Sequence, residues 1–123
     1  MTASDSPLIY KVCEAAPWRE AEAAGTYHGA PVDLEDGFIH FSAPQQLRET
    51  VRRYFAESQG LVLVEVDAGK LGPALKWGPS RGGDLFPHLY GPLPLSAVTR
   101  VWDFPLGGDG KRRYPPGVDF ADA

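Results

Sequence analysis

Leu61-Val62-Leu63-Val64-Glu65-Val66 is the stretch on which the fold turns. It is apolar on both parities through its first four residues, as a strand buried on both faces reads, and so predicts the central strand of a sheet. Gly60 stands in front of it and ends a helical stretch. In that stretch Leu47, Val51, Tyr54 and Phe55 fall at the i, i+4, i+7 and i+8 spacing of one helix face. Arg48, Glu49, Arg52 and Arg53 take the remainder. The helix is expected to run to about Ser58. Ser42, followed by Pro44 and Gln45 at the second and third positions, approximates a capping box, so Ser42 is expected at the N-cap.

Working outward, Leu8 to Cys13 reads as a short first strand. Trp18 to Ala24 reads as a helix with Pro17 at its start and Gly25 placed to end it. Thr26 to Asp33 reads as an extended or looping connection, Asp36-Gly37 as a turn, and Phe38 to Ser42 as a second strand. Residues 67–84 hold five glycines and two prolines. They predict a long connection with one extended piece at Leu75 to Trp77. Phe86 to Tyr90 is partly extended, with Pro87 arguing against a central ladder position. Val98 to Phe104 is the last strand, and residues 107–110 form a turn. The order is β-α-β-α-β followed by strands. This is an α+β arrangement with two helices in one compact domain over residues 8–115. Residues 1–7 read as a flexible terminus and 116–123 as a tail.

The 123 residues suit one domain, and 43% of them are hydrophobic, enough for a core. A net charge of −4 argues against nucleic-acid or anionic-membrane binding, which needs a basic face. No run of about 18 apolar residues predicts a membrane span, and residues 1–7 lack the pattern of a signal peptide. The single cysteine, Cys13, reads as a small buried hydrophobe and fits a reducing cytoplasm.

The candidate chemistry lies in Asp36-Gly37-Phe38-Ile39-His40-Phe41-Ser42 and Leu85-Phe86-Pro87-His88-Leu89-Tyr90-Gly91-Pro92. Each sets one of the three histidines inside an apolar run bounded by turn residues. Strand alternation puts Ile39 and Phe41 on a core face and leaves His40 and Ser42 on the other. A histidine and a hydroxyl two apart suit a ribose or a phosphate, and a helix start beside Ser42 would add anion donors. His40 and His88 are the candidate catalytic pair, expected to face one cleft. Tyr10, Trp18, Phe86 and Tyr90 are candidates to line a pocket for a flat ring. Arg81-Gly82-Gly83 is a candidate to meet an anionic ligand. His28 reads as solvent-exposed, and Arg52-Arg53 and Lys111-Arg112-Arg113 as solvated surface. Asp36, His40 and His88 lack the tight two-ligand spacing of a zinc site, so no metal ligands are assigned. No phosphate-binding loop or dinucleotide fingerprint is present.

These two segments, with Ile9-Tyr10-Lys11, Trp18, Gly25, Gln46 and the strand Leu61 to Asp67, resemble the small bacterial family called "domain of unknown function 952", over about residues 8–115. The resemblance implies an ADP-ribosyltransferase-like fold, a split mixed or antiparallel sheet around an NAD-binding cleft. NAD would then be a substrate rather than a cofactor. His40 and Ser42 would hold ribose and diphosphate, Tyr10 and Tyr90 would wall the nicotinamide or adenine, and His88 would orient the ligand or act as acid/base. Relatives often carry a glutamate after the aromatic residue near position 77, where this chain has Gly78. Glu35, Asp36 and Asp84 are the acids near the motifs. Three readings follow: NAD-using ADP-ribosyl transfer or glycohydrolysis, a non-catalytic module for a nucleotide or small metabolite, and a metal-dependent hydrolase built on the two histidines. The chain has no room for a thioredoxin-like half plus a helical half, and no Cys-x-x-Cys, which argues against a glutathione transferase.

Overall fold

The apolar stretch 61–66 forms β4 (Leu61–Asp67), the middle strand of a three-stranded sheet. Its neighbours are β1 (Leu8–Glu14) and β8 (Val98–Asp103), both antiparallel to it. The computed structural model describes residues 7–80, 83–118 and 120. The two parities of β4 feed two cores. Val62, Val64 and Val66 pack with Ile9 and Cys13 under α1 (Ala15–Ala24), whose Trp18 and Ala21 point inward. Leu61 and Leu63 pack with Tyr10 and Val12 under α3 (Leu47–Tyr54), whose Leu47 and Val51 point inward. A strand sandwiched between two helices has no solvent face, which is why its sequence does not alternate.

Glu65 interrupts that apolar run, and its side chain is buried. Tyr10 donates its hydroxyl to it at 2.7 Å, Thr99 at 2.6 Å, and Arg100 adds a two-pronged contact at 2.9 Å. Burial by itself would raise this carboxyl, but those donors hold it below the usual carboxylate range.

A second antiparallel sheet holds β3 (Ile39–His40), β6 (Leu85–Leu89) and β5 (Leu75–Pro79), in the order β3-β6-β5. A short ladder joins β2 (Thr26–Tyr27) to β7 (Leu93–Pro94). The two larger sheets meet where Tyr10 and Ser42 exchange backbone hydrogen bonds at 2.8 Å each way. Every pairing among the described residues is antiparallel, so the expected mixed component is not found there. The α+β class stands, as a small single domain of mostly antiparallel sheets with few helices.

Several local expectations change. A third α-helix, α2 (Pro31–Asp36), starts in the stretch read as a connection and runs into the Asp36-Gly37 turn. Pro31 at its first position, the acidic Asp33 two residues later and Gly37 in the left-handed region behind it start and stop it. α3 ends at Tyr54, not near Ser58. Pro87 lies in a middle strand after all. Its carbonyl accepts from Phe41 N–H just past the end of β3, and a residue's N–H and C=O point the same way along a strand. The missing donor therefore faces a ladder that has already ended, rather than β5. Ser42 is not the cap. Ala43 occupies that place before a 3₁₀ turn at Pro44–Gln46, and Gln46 Oε1 accepts from Ala43 N–H at 2.9 Å. Ser42 Oγ instead pairs with Thr50 Oγ1 at 2.9 Å. Arg112, read as solvated, donates to the carbonyls of Phe104, Phe55 and Ser58. In the tail, Phe120 is buried with its ring edge-on to Tyr10. No helix among the described residues is long and apolar enough to cross a membrane.

Candidate functional site

A cleft of about 480 Å³ opens where the two larger sheets meet. β1 contributes Lys11, β3 contributes His40, and β6 contributes Phe86 and His88. Ser42 and Thr50 lie at the start of the α3 region, and Val32 and Asp36 come from α2.

His40 and His88 occupy the same register position of the β3–β6 ladder, with ring centroids 5.7 Å apart. Phe38 lies against both rings, at 4.5 Å from His40 and 4.2 Å from His88. Ile39 and Phe41, which alternation sets opposite His40, are both buried, and Phe41 also borders the cleft.

The two imidazoles have opposite settings. His40 is held at both nitrogens: Nδ1 lies 2.6 Å from Asp33 Oδ1 and Nε2 lies 3.0 Å from Asp36 Oδ2. His88 is buried and its Nε2 has no hydrogen-bond partner. Burial, and then the neighbouring His40, push its pKa below the ordinary histidine value. Gly78 lies beneath the His88 ring, where a Cβ would stand 3.0 Å from Nδ1.

Asp33 is the residue that sequence reasoning missed. It is buried, and it collects Lys11 Nζ at 2.8 and 3.1 Å, Ala30 N–H at 2.7 Å, and the His40 N–H at 3.1 Å, beside the His40 ring. Burial opposes its ionisation, but the His40 hydrogen bond and the Lys11 charge outweigh that and hold its pKa at about 2. Gly29, at φ 113°, lets the chain pass over it, since a Cβ there would come within 2.8 Å of Asp33 Cβ. The helix-start pattern at Pro31 and Asp33 was a readable signal for α2. Nothing in the sequence signals that Asp33 turns inward to Lys11 and His40.

The remaining candidates divide. Phe86 is buried in the cleft wall, and Ser42 lines the cleft with its hydroxyl hydrogen-bonded to Thr50 and acceptor capacity left over. Tyr10 lines the cleft, but its ring is buried and its hydroxyl is committed to Glu65, so it offers no free stacking face. Burial, with Glu65 beside it, raises its pKa. Tyr90 is half exposed against Phe38 and is not a cleft residue. Trp18 is fully buried under α1. Arg81 lies outside the described residues, as does Gly82. Of the three acids near the motifs, Asp36 lines the cleft; Glu35 and Asp84 do not. His28 is exposed, as expected.

One family model and solved structures of one bacterial protein match the chain. Residues 12–101 match the family described as "Protein of unknown function (DUF952)". The crystal structure of protein CC0527 from Caulobacter crescentus is 50% identical and superposes with a TM-score of 0.81, covering 86% of this chain and 93% of that one. The solution NMR structure of CC0527 is 51% identical with a TM-score of 0.75, covering 84% and 89%. No curated protein matches the chain. The chain belongs to the DUF952 family.

Proposed function

We propose that the cleft binds a nucleotide-like small molecule through its nucleoside end, with NAD or an ADP-ribose fragment as the first ligands to test, in keeping with an ADP-ribosyltransferase-like reading of the fold. The observation that carries this is the cross-strand pair His40 and His88, one ring clamped by carboxylates and the other with a buried, unpartnered nitrogen. The cleft volume of about 480 Å³ falls in the range of roughly 300–1,000 Å³ for small-molecule sites. Phe41 and Phe86 supply apolar wall for a flat base, and the Ser42–Thr50 pair and Asp36 supply partners for ribose hydroxyls.

The diphosphate end has less support. Ser42 does not cap a helix, and Lys11 is already neutralised by Asp33. Asp36 favours an enzyme over a plain binding module. Cleavage at the ribose anomeric carbon passes through an oxocarbenium-like centre, which a carboxylate on the cleft wall stabilises. The metal-hydrolase reading draws no support from His40, whose ring nitrogens both face carboxylates.

Calorimetric titration of wild type and His40→Ala with NAD, ADP-ribose and AMP is the test. Wild type is expected to bind at least one of them, and loss of the His40 hydrogen bond should weaken binding by about 0.5–1.5 kcal/mol. Failure to bind any of the three at millimolar concentration would sink the reading. Release of free nicotinamide from NAD, lost in Asp36→Asn, would identify an enzyme; binding without release would identify a binding module.

A further inference from the structure

We propose that Asp33, His40 and Asp36 form a proton relay, with Asp33 as a positioning residue and His40 Nε2 as the atom that exchanges a proton with a ligand oxygen. This rests on the cleft being a ligand site, and it names the atom that performs acid–base work there.

The two carboxylates around His40 are not equivalent. Asp33 is buried, and fixed donors from Lys11, Ala30 and the His40 backbone occupy both its oxygens. Such a carboxylate can only accept, so the Nδ1 atom 2.6 Å away carries a hydrogen. Against the Asp36 carboxylate Nε2 must carry a hydrogen too, so Nε2 is the atom free to change its protonation once a ligand oxygen takes the place of Asp36. Asp36, which faces Nε2 at 3.0 Å, is the last residue of α2 and its side chain is 43% exposed, so a ligand can displace it. The charged and titratable groups around the ring are Lys11 from β1, Asp33 and Asp36 from α2, and His88 from β6. Lys76 of β5 sits over the Tyr90 ring.

In the base direction a ligand O–H bond breaks, an Nε2–H bond forms, and the oxygen keeps the electron pair. The resulting imidazolium lies between Asp33 and the ligand oxygen that has taken the place of Asp36. In the acid direction the same proton returns to a leaving oxygen.

Nitrogen NMR of the ligand-free protein reads the ring directly. Neutral His40 is expected to carry its hydrogen on Nδ1 in wild type and in Asp36→Asn, and on both nitrogens in exchange in Asp33→Asn. A wild-type ring protonated on Nε2 instead would overturn the relay. If Asp33→Asn does not fold, Asp36→Asn decides: its Nε2 resonance must shift, and an unmoved one refutes the pairing. Calorimetry with NAD in buffers of different ionisation enthalpy counts protons exchanged on binding. The count should be non-zero in wild type and different in Asp33→Asn. An equal count in both means that Asp33 is only structural and overturns the positioning role. If none of NAD, ADP-ribose and AMP binds, the ligand reading falls, while the tautomer result still decides the relay.

Discussion

His40 and His88 are direct partners across the β3–β6 ladder, their rings edge to face at 5.7 Å. Opposed residues on one face of an antiparallel pair bring their side chains together whatever their separation in the chain. The ladder therefore makes one site from two distant motifs. It also lets each ring have its own environment: His40 sits among the polar groups of α2, and His88 sits over Gly78.

Removing Asp33 should be among the costliest single changes in the molecule. Asp33→Ala leaves the buried Lys11 ammonium without its partner and strips an acceptor from the N–H groups of Ala30 and His40. Breaking one side of a buried ion pair costs about 3–5 kcal/mol. Urea unfolding should show a loss of that order. A loss below about 1 kcal/mol, the usual value of a surface pair, would show that the network contributes no more than that.

Stability should fall in two stages as the solution is acidified. The pKa of His88 is depressed in the folded state, so the unfolded chain takes up its proton first. That contribution is present above the ordinary value of 6.5 and is lost as pH falls below it. Asp33 titrates at about 2 when folded against 3.8 otherwise. Its contribution is full above about pH 4 and disappears toward pH 2. The urea midpoint measured against pH should show both stages, and His88→Gln should remove the first while leaving the second.

The start of the α3 region offers a direct contrast between caps. Gln46→Ala removes the acceptor for Ala43 N–H and the donor to the Leu85 carbonyl, and should cost about 1 kcal/mol. Ser42→Ala removes one hydroxyl–hydroxyl bond to Thr50. A double-mutant cycle with Thr50→Val should therefore return a coupling of about 0.5–1.5 kcal/mol. Zero coupling would mean that the Ser42 hydroxyl acts elsewhere.

Gly78 packs beneath the His88 ring. A Cβ there would lie 3.0 Å from His88 Nδ1, so the imidazole must give by a few tenths of an ångström. Gly78→Glu should set a carboxylate beside His88 and raise its titration midpoint, counteracting the effect of burial. An unmoved His88 midpoint, followed by NMR, would mean that the new carboxylate turns away.

Much of the frame was legible because periodicity reports burial. The doubly apolar run at residues 61–66 identified the middle strand, and the spacing of Leu47 and Val51 identified the inner face of α3. Alternation around His40 identified Ile39 and Phe41 as buried, but it did not show that Phe41 also borders the cleft. Short elements were less legible. The six residues of α2 give too little periodicity to outweigh a loop-like composition, and Pro87 misled because its cost depends on where the neighbouring strand stops. The cap at Ser42 failed because the Gln46 side chain supplied the acceptor from the other end.

What the sequence determined by itself was therefore the set of apolar faces and the two histidine-bearing strands, since one residue's burial is written in its neighbours' pattern. What only the tertiary structure decided was the company those histidines keep. Asp33 reaches His40 and Lys11 because α2 folds back over the junction of two sheets, and a contact between elements of different period leaves no trace in either one. Hydrogen bonds of that kind depend on fractions of an ångström and on which oxygen faces which donor, and these quantities arise only once the chain has packed.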